Sequence, residues 1–264
     1  MSKNPIDKLS GFVVVTGASS GIGLELAKLA AKDGCDLLIV ADRDLTAAET
    51  SLRECGAASV ERIEVDLGTQ KGIDDLMNKI GERDVDSLIA NAGHGLGDAF
   101  FLQKWEDIAH VIDTNVKGMV SLVHKIGPRM VLREKGRILV TGSIAGDMPG
   151  AYQLVYNSTK AFVNDFCAGL ANELENTPVV VSCLMPGVTD TQFFKRAGME
   201  DTNAGQMENK ADPAKVARDG YQAMLKGETQ EVSGFMNKLQ DLFADILPSE
   251  LVAKMHERLA KPDR

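Results

Sequence analysis

Cysteine is scarce in this 264-residue chain, and its four copies, Cys35, Cys55, Cys167 and Cys183, stand far apart with no C-x-x-C pair. That spacing argues against a disulfide framework and a thiolate zinc site. Each cysteine lies among apolar neighbours, so buried free thiols are expected. The four histidines, His94, His110, His124 and His256, lack H-E-x-x-H or any comparable ligand spacing, so no metal is expected. Long apolar runs are missing as well, and none approaches the roughly 20 residues of a membrane span. Met1 to Ser10 carries two lysines but no apolar stretch of the kind a signal peptide needs. A cytoplasmic protein without a membrane partner is expected. Positive charge is not in excess: the formal net charge is −9, which argues against nucleic acid as a partner.

What the chain does have is an ordinary globular balance, with 44% apolar and 25% charged residues. Short apolar runs alternate with longer segments of helical period. Strands are expected at Phe12–Val15, Leu37–Val40, Val60–Val65, Val85–Ala90, Arg137–Val140 and Val179–Leu184, with a last one near Glu231–Phe235. Helices are expected between them: Ile22–Ala31, one through Ala47 and Leu52, one carrying Ile73, Leu76, Met77 and Ile80, one near Trp105–Ile126, and a long one over Val155–Leu174. Continuous apolar strands alternating with helices indicate a parallel sheet covered on both faces. No linker or repeat interrupts the pattern, so residues 1–264 read as one α/β domain of three layers.

Thr16-Gly17-Ala18-Ser19-Ser20-Gly21-Ile22-Gly23 follows the first strand directly. Glycines at a strand-to-helix turn let the backbone approach a ligand closely, and the helix start offers free N–H groups to a pyrophosphate. The spacing is G-x-x-x-G-x-G rather than the commoner G-x-G-x-x-G. Asp42 ends the second strand 19 residues beyond Gly23, where a carboxylate accepts hydrogen bonds from an adenosine ribose. It would repel a 2′-phosphate, and Ser20 offers that phosphate no cation, so NAD is favoured over NADP. Arg43 pulls the other way, because a guanidinium beside the ribose can bind the phosphate.

Tyr156-Asn157-Ser158-Thr159-Lys160 sets a phenol and an ammonium one helical turn apart. Hydride transfer to a carbonyl leaves an alkoxide that needs a proton, and a nearby cation brings a phenol's pKa toward the working range. Ser143 follows the fifth strand, 13 residues before Tyr156. With no His/Asp partners in motif context, it reads as a group that binds the substrate oxygen rather than a nucleophile. Asn91-Ala92-Gly93 ends the fourth strand, Asn115 lies in the next helix, and Pro186-Gly187 with Thr191 follows the sixth strand. All fall at the carboxyl edge of the sheet or just after it.

Together these residues resemble the short-chain dehydrogenase/reductase family, from about Phe12 to Thr191. The resemblance implies a Rossmann-like doubly wound sheet and NAD(P)-dependent hydride transfer between a nicotinamide and a carbonyl or secondary alcohol carbon. It implies a tetrad of Asn115, Ser143, Tyr156 and Lys160. Tyr156 would be the general acid/base and Ser143 would position the carbonyl. Lys160 would hold the nicotinamide ribose and lower the Tyr156 pKa, and Asn115 would anchor a water relay behind Lys160. The cofactor would lie along Thr16, Gly17, Ser19, Ser20, Gly21, Ile22, Gly23, Asp42 and Arg43. By the same resemblance Asp66 and Leu67 would border the adenine, Asn91, Ala92 and Gly93 would flank the cofactor, and Pro186, Gly187, Val188 and Thr191 would reach the nicotinamide end. The rival is a dinucleotide-binding sensor or scaffold without catalysis, which would be expected to lack part of the tetrad; all four residues are present.

His94 is a candidate for the substrate side or an uninvolved loop residue. Tyr152, with Tyr156 and not lysine four residues on, could line the substrate site. Residues 188–210 carry Phe193, Phe194, Met199 and Met207, with Gly198 and Gly205 as bending points. They read as a mobile lid over an apolar pocket, or as side chains packed permanently on the sheet. From about residue 212 the chain would set specificity, with an amphipathic stretch at Leu239, Leu242, Phe243 and Ile246. The stripe Val155, Phe162, Phe166, Leu170 and Leu174, with the family resemblance, points to a homodimer or homotetramer.

Overall fold

Valines occupy three successive positions of the first strand, and successive side chains of a strand point to opposite faces. In the computed structural model, which describes residues 3–234 and 249–262, Val13 and Val15 enter one buried cluster and Val14 the other. A parallel sheet between two helix layers follows. Its strands are β1 (Phe12–Thr16), β2 (Asp36–Ala41), β3 (Ser59–Glu64), β4 (Ser87–Ala90), β5 (Arg137–Thr141), β6 (Val180–Met185) and β7 (Gln230–Val232). They lie in the order β3-β2-β1-β4-β5-β6-β7, every pair parallel.

On one face pack α1 (Gly21–Lys32), α2 (Thr46–Glu54) and α9 (Pro213–Lys226), through Leu26, Ala30, Leu52, Val216 and Met224. On the other lie α3 (Gln70–Ile80), α5 (Met119–Leu132) and α6 (Leu154–Glu173), through Leu76, Ile126, Met130, Val163 and Cys167. Burying each such Val, Leu, Ile or Met side chain is worth about 1.5–3 kcal/mol. Local chemistry sets the ends. The Thr69 hydroxyl accepts from the Gly72 N–H at 3.0 Å to start α3, and Asp212 caps α9 ahead of Pro213.

Three expectations change. The helix read across Trp105–Ile126 is α4 (Trp105–Ile112) joined to α5 by a wide π turn over Asp113–Gly118, which leaves Asn115 buried. Gly118 permits the close approach there, since a methyl group on it would lie 2.4 Å from the Leu67 carbonyl oxygen. The third strand is not continuously apolar: β3 is the sheet edge and bears Glu61, Arg62 and Glu64, charges that guard an edge against further pairing. The irregular stretch 187–211 contains two short helices, α7 (Phe193–Arg196) and α8 (Asn203–Gln206). The C-terminal helix α10 (Ser249–Ala260) packs against α8. Leu239, Leu242, Phe243 and Ile246 lie outside the described residues, which contain no helix long and apolar enough to cross a membrane.

Candidate active site

The chain runs from β1 to β2 and β3 on one side, then returns to β4 and the remaining strands on the other. The crevice of such a sheet opens where the order reverses, beyond the carboxyl ends of β1 and β4. Thr16 fastens that point. Its buried hydroxyl accepts from the backbone N–H groups of Asn91 and Ala92, both at 3.0 Å, so this side chain is committed to joining the strands. Asn91 continues the join, donating to the Gly17 carbonyl at 3.4 Å and accepting from the Thr141 hydroxyl at 3.0 Å.

The turn itself fits a dinucleotide phosphate. Gly17 has φ +67°, and a methyl group on Gly23 would lie 2.2 Å from the Gly17 carbonyl oxygen, so the first turn of α1 presses onto the loop as only glycine allows. Ser20 stands in extended conformation before α1, its hydroxyl making no cap bond to the helix, while Ser19 and Ile22 are partly exposed beside it. The Thr191 methyl group sits under Gly21, 3.0 Å from where a Cβ would be.

Beyond β2, both oxygens of Asp42 are held by Arg43, at 2.7 and 2.8 Å, and that hydrogen bonding keeps the carboxyl below its usual range. The His94 imidazole lies 3.7 Å from Asp42 and meets His110 at a tilt, with ring centres 4.6 Å apart; His110 is 3.9 Å from Asp66. His94 thus turns its ring toward the cofactor end. Burial, then the neighbouring His110, lowers its pKa and keeps it neutral. Asp66 accepts from the Gly68 N–H at 2.8 Å, and the Leu67 side chain enters the core.

The tetrad residues converge around α6. Tyr156 and Lys160 are one turn apart, with the ammonium 5.9 Å from the phenol ring centre and donating to the Thr141 carbonyl at 2.7 Å. Gly93 brings the fourth strand's end against the same group: a methyl there would be 3.6 Å from Lys160 Nζ and 3.2 Å from Asn115 Oδ1. The Asn115 amide accepts from the His94 N–H at 2.8 Å and donates to the His94 carbonyl at 2.8 Å and the Thr159 hydroxyl at 3.0 Å. It fixes loop 94 to α6. Ser143 starts a short 3₁₀ turn by accepting from the Ala145 N–H and donates to the Pro186 carbonyl at 3.3 Å.

The electrostatics differ from the expectation of a phenol pulled down by its lysine. Burial pushes Tyr156 up to about 12, against a downward pull from its hydrogen bond with Ser143. Burial also lowers Lys160 to about 8, opposed by the thiols Cys183 and Cys167. Desolvation wins at both groups, so at neutral pH the phenol keeps its proton.

Residues 188–210 close over this site. The Phe193 ring stands 5.1 Å from that of Tyr156, and Phe194, Ala197, Met199 and Ala204 form a third apolar cluster with Val188, Tyr152 and Leu259. This cluster is separate from the two sheet cores. Met207 is exposed and stands apart from it. The Thr191 hydroxyl accepts from the Phe193 N–H to begin α7, and the Gly187 carbonyl accepts from Thr189.

Sequence reasoning missed several residues here. Methyl groups on Gly95 and Gly97 would lie 2.4 Å from the Phe193 ring and 2.3 Å from Met199, so both glycines make room for these side chains. The alternation Gly93-His94-Gly95-Leu96-Gly97 was the available signal. Thr159, inside the Y-x-x-x-K segment, anchors Asn115 and was passed over as spacing. Arg196, which reaches Ser20 at 3.1 Å across 176 residues, had no local signal.

A glycine-cradled helix start and a phenol beside an ammonium at the carboxyl end of the sheet suit hydride transfer with a dinucleotide, and the protein is a dinucleotide-dependent oxidoreductase. The model of the short chain dehydrogenase family matches residues 11–202, and the chain belongs to that family. It is 34% identical over 201 residues to the NADP-dependent 3-hydroxy acid dehydrogenase of Salmonella typhi, covering 74% of this chain and 79% of that one. It is 32% identical over 193 residues to the serine 3-dehydrogenase of Agrobacterium fabrum, covering 70% and 74%. Among solved structures, a short-chain dehydrogenase from Sphingobium yanoikuyae in complex with NADPH superposes with a TM-score of 0.79 at 28% identity, over 90% of this chain and 97% of that one.

Proposed function

We propose that the protein interconverts apolar ketones and secondary alcohols with NADP(H), Tyr156 serving as the proton donor and acceptor. One observation carries this reading: the partly buried Tyr156 phenol lies between the Lys160 ammonium, 5.9 Å from its ring centre, and the Phe193 ring at 5.1 Å. A bound nicotinamide supplies or takes the hydride. Ser143 holds the substrate oxygen, Tyr156 gives its proton to the alkoxide, and the Lys160 ammonium steadies the phenolate that remains. Asn115 keeps loop 94 and α6 in register behind them. Phe193, Phe194, Val188 and Met199 supply an apolar wall that suits hydrocarbon substituents, with Tyr152 at its margin.

Asp42 taken alone favours NAD, but its carboxylate is already spent on Arg43, which supports NADP(H). The NADP-dependent relative and the NADPH-bound neighbour lean the same way. The reading extends to a homodimer through the outer face of α4 and α6. There Phe100, Ile112, Leu154 and Phe162 surround an apolar groove of about 420 Å³, and Phe101 and Trp105 stand beside it 94% and 69% exposed. Free thiols at Cys35, Cys55, Cys167 and Cys183 suit the reducing cytoplasm. The direct test is steady-state turnover of a ketone and alcohol panel with NADPH and NADH. Faster turnover of medium-length apolar ketones with NADPH is expected; no turnover of any ketone or alcohol, or a clear preference for NADH, would count against it.

A further inference from the structure

Helix α7 is a single turn, yet its two ends touch different parts of the site. Phe193 at its start lies against Tyr156, and Arg196 at its end hydrogen-bonds the Ser20 hydroxyl at 3.1 Å. Ser20 immediately precedes the glycine that opens α1, on the phosphate turn. The guanidinium of Arg196 therefore sits beside that turn while bonded to a neutral hydroxyl. It also lies near the Asp42–Arg43 pair: Arg43 lowers its pKa and Asp42 raises it, after the larger lowering effect of burial. Both oxygens of the Asp42 carboxylate are already held by Arg43, while the Arg196 guanidinium bonds Ser20 instead. Burial and the neighbouring His110 lower the pKa of the partly buried His94, so it adds no further positive charge at neutral pH. The cluster has one positive charge in excess, in a planar fork geometry that matches phosphate oxygens.

A 2′-phosphate carries about two negative charges near neutral pH, and an unphosphorylated ribose carries none. We propose that Arg196 is a specificity-determining residue that joins Arg43 around the 2′-phosphate of NADP(H), so that the lid closes more firmly on the phosphorylated cofactor than on NAD(H). This rests on the NADP(H) reading above and adds to it a lid-borne contact. Because Phe193 and Arg196 share one helical turn, a phosphate that draws Arg196 inward also seats Phe193 against Tyr156. Cofactor identity and closure of the substrate site become one event.

The test is equilibrium binding of NADPH and NADH, followed by nicotinamide fluorescence, to the wild-type chain and to Arg196→Gln, Arg196→Lys and Arg43→Gln. Arg196→Gln should weaken NADPH about 10- to 100-fold and NADH less than about threefold, the loss expected for a charged hydrogen bond. Arg196→Lys should recover part of that loss. Amide exchange across residues 188–206 should be slowed more by NADP than by NAD in the wild type, and equally by both in Arg196→Gln. Equal weakening of both cofactors by Arg196→Gln, or no weakening of NADPH, overturns the proposal. If Arg43→Gln loses NADPH while Arg196→Gln keeps it, only the lid contact fails. If the wild type binds NADH more tightly and Arg43→Gln leaves NADPH unchanged, the NADP(H) reading fails and the proposal with it. An unchanged melting temperature for cofactor-free Arg196→Gln separates these outcomes from misfolding.

Discussion

Burial and the hydrogen bond with Ser143 act on the Tyr156 phenol in opposite directions, and burial is the larger. The proton is therefore in place for carbonyl reduction, whereas alcohol oxidation must first remove it. With a folded pKa raised above the ordinary value near 10, the fraction of phenolate increases with pH across the whole neutral range. The rate of alcohol oxidation should accordingly climb from pH 6 toward pH 8, where chemistry limits turnover. Reduction should decline through about pH 8, as Lys160 loses its charge, and hold steady well below it. A flat oxidation profile in stopped-flow or steady-state measurements would assign the proton to another group. Replacing Tyr156 by Phe should cost about 10²–10⁴-fold in turnover and leave NADPH binding within a few-fold, because only proton transfer is lost.

Elements, not single residues, hold the segment 188–206 against the site. Gly95 and Gly97 leave gaps that the Phe193 ring and Met199 fill, and the Gly97 N–H donates to the Ala197 carbonyl at 2.9 Å. A methyl at Gly95 would force Phe193 off Tyr156. Gly95→Ala should lower kcat/KM about 10²-fold, the scale of a 1 Å misplacement, and speed amide exchange over residues 188–206. Unchanged kinetics would mean that Phe193 has no positioning role. The second support is α10, where His256 bonds the Ala151 carbonyl through Nδ1 at 3.0 Å and Asn157 through Nε2 at 3.2 Å. A carbonyl partner makes Nδ1 the donor, so Nε2 accepts and the ring is neutral. Burial depresses its folded pKa below the ordinary 6.5, so the docking it provides is full above that value and is lost as pH falls through the lower folded one. Exchange in α10 should increase in mild acid, and His256→Ala should show that increase already at pH 7.

Among the described residues, one apolar face is left exposed. Phe100, Ile112, Leu154 and Phe162 line the groove, and Phe101, Leu102 and Trp105, close to Phe100 in the chain, are 94%, 74% and 69% exposed. Under the homodimer reading proposed above, a second copy presenting the same face would shield that area from water with two-fold symmetry. Phe162→Glu should shift the mass seen by light scattering from dimer to monomer at micromolar concentration. A wild-type monomer under those conditions would remove the idea. Because Ser158 and Thr159 also line this groove, one turn from Tyr156, the monomeric variant should lose activity as well as mass.

Strand valines, helix periods and the three-glycine turn were enough to read the layers of the sheet, since each depends on neighbours a few residues away. The Tyr156 and Lys160 pair was legible for the same reason: one helical turn fixes it. The sheet order could not be read from local pattern, and β3 became a charged edge because the chain reverses after it. The π turn at Asn115 depends on Leu67 crossing Gly118, a contact between segments distant in sequence. Folding alone decided that Arg43 takes the Asp42 carboxylate, that His94 turns toward the cofactor end, and that Arg196 meets Ser20. Desolvation likewise belongs to the tertiary structure, and it moves Tyr156 and Lys160 opposite to one another in pKa. Spacing along the chain carries charge and distance; only packing sets how much water each charge keeps.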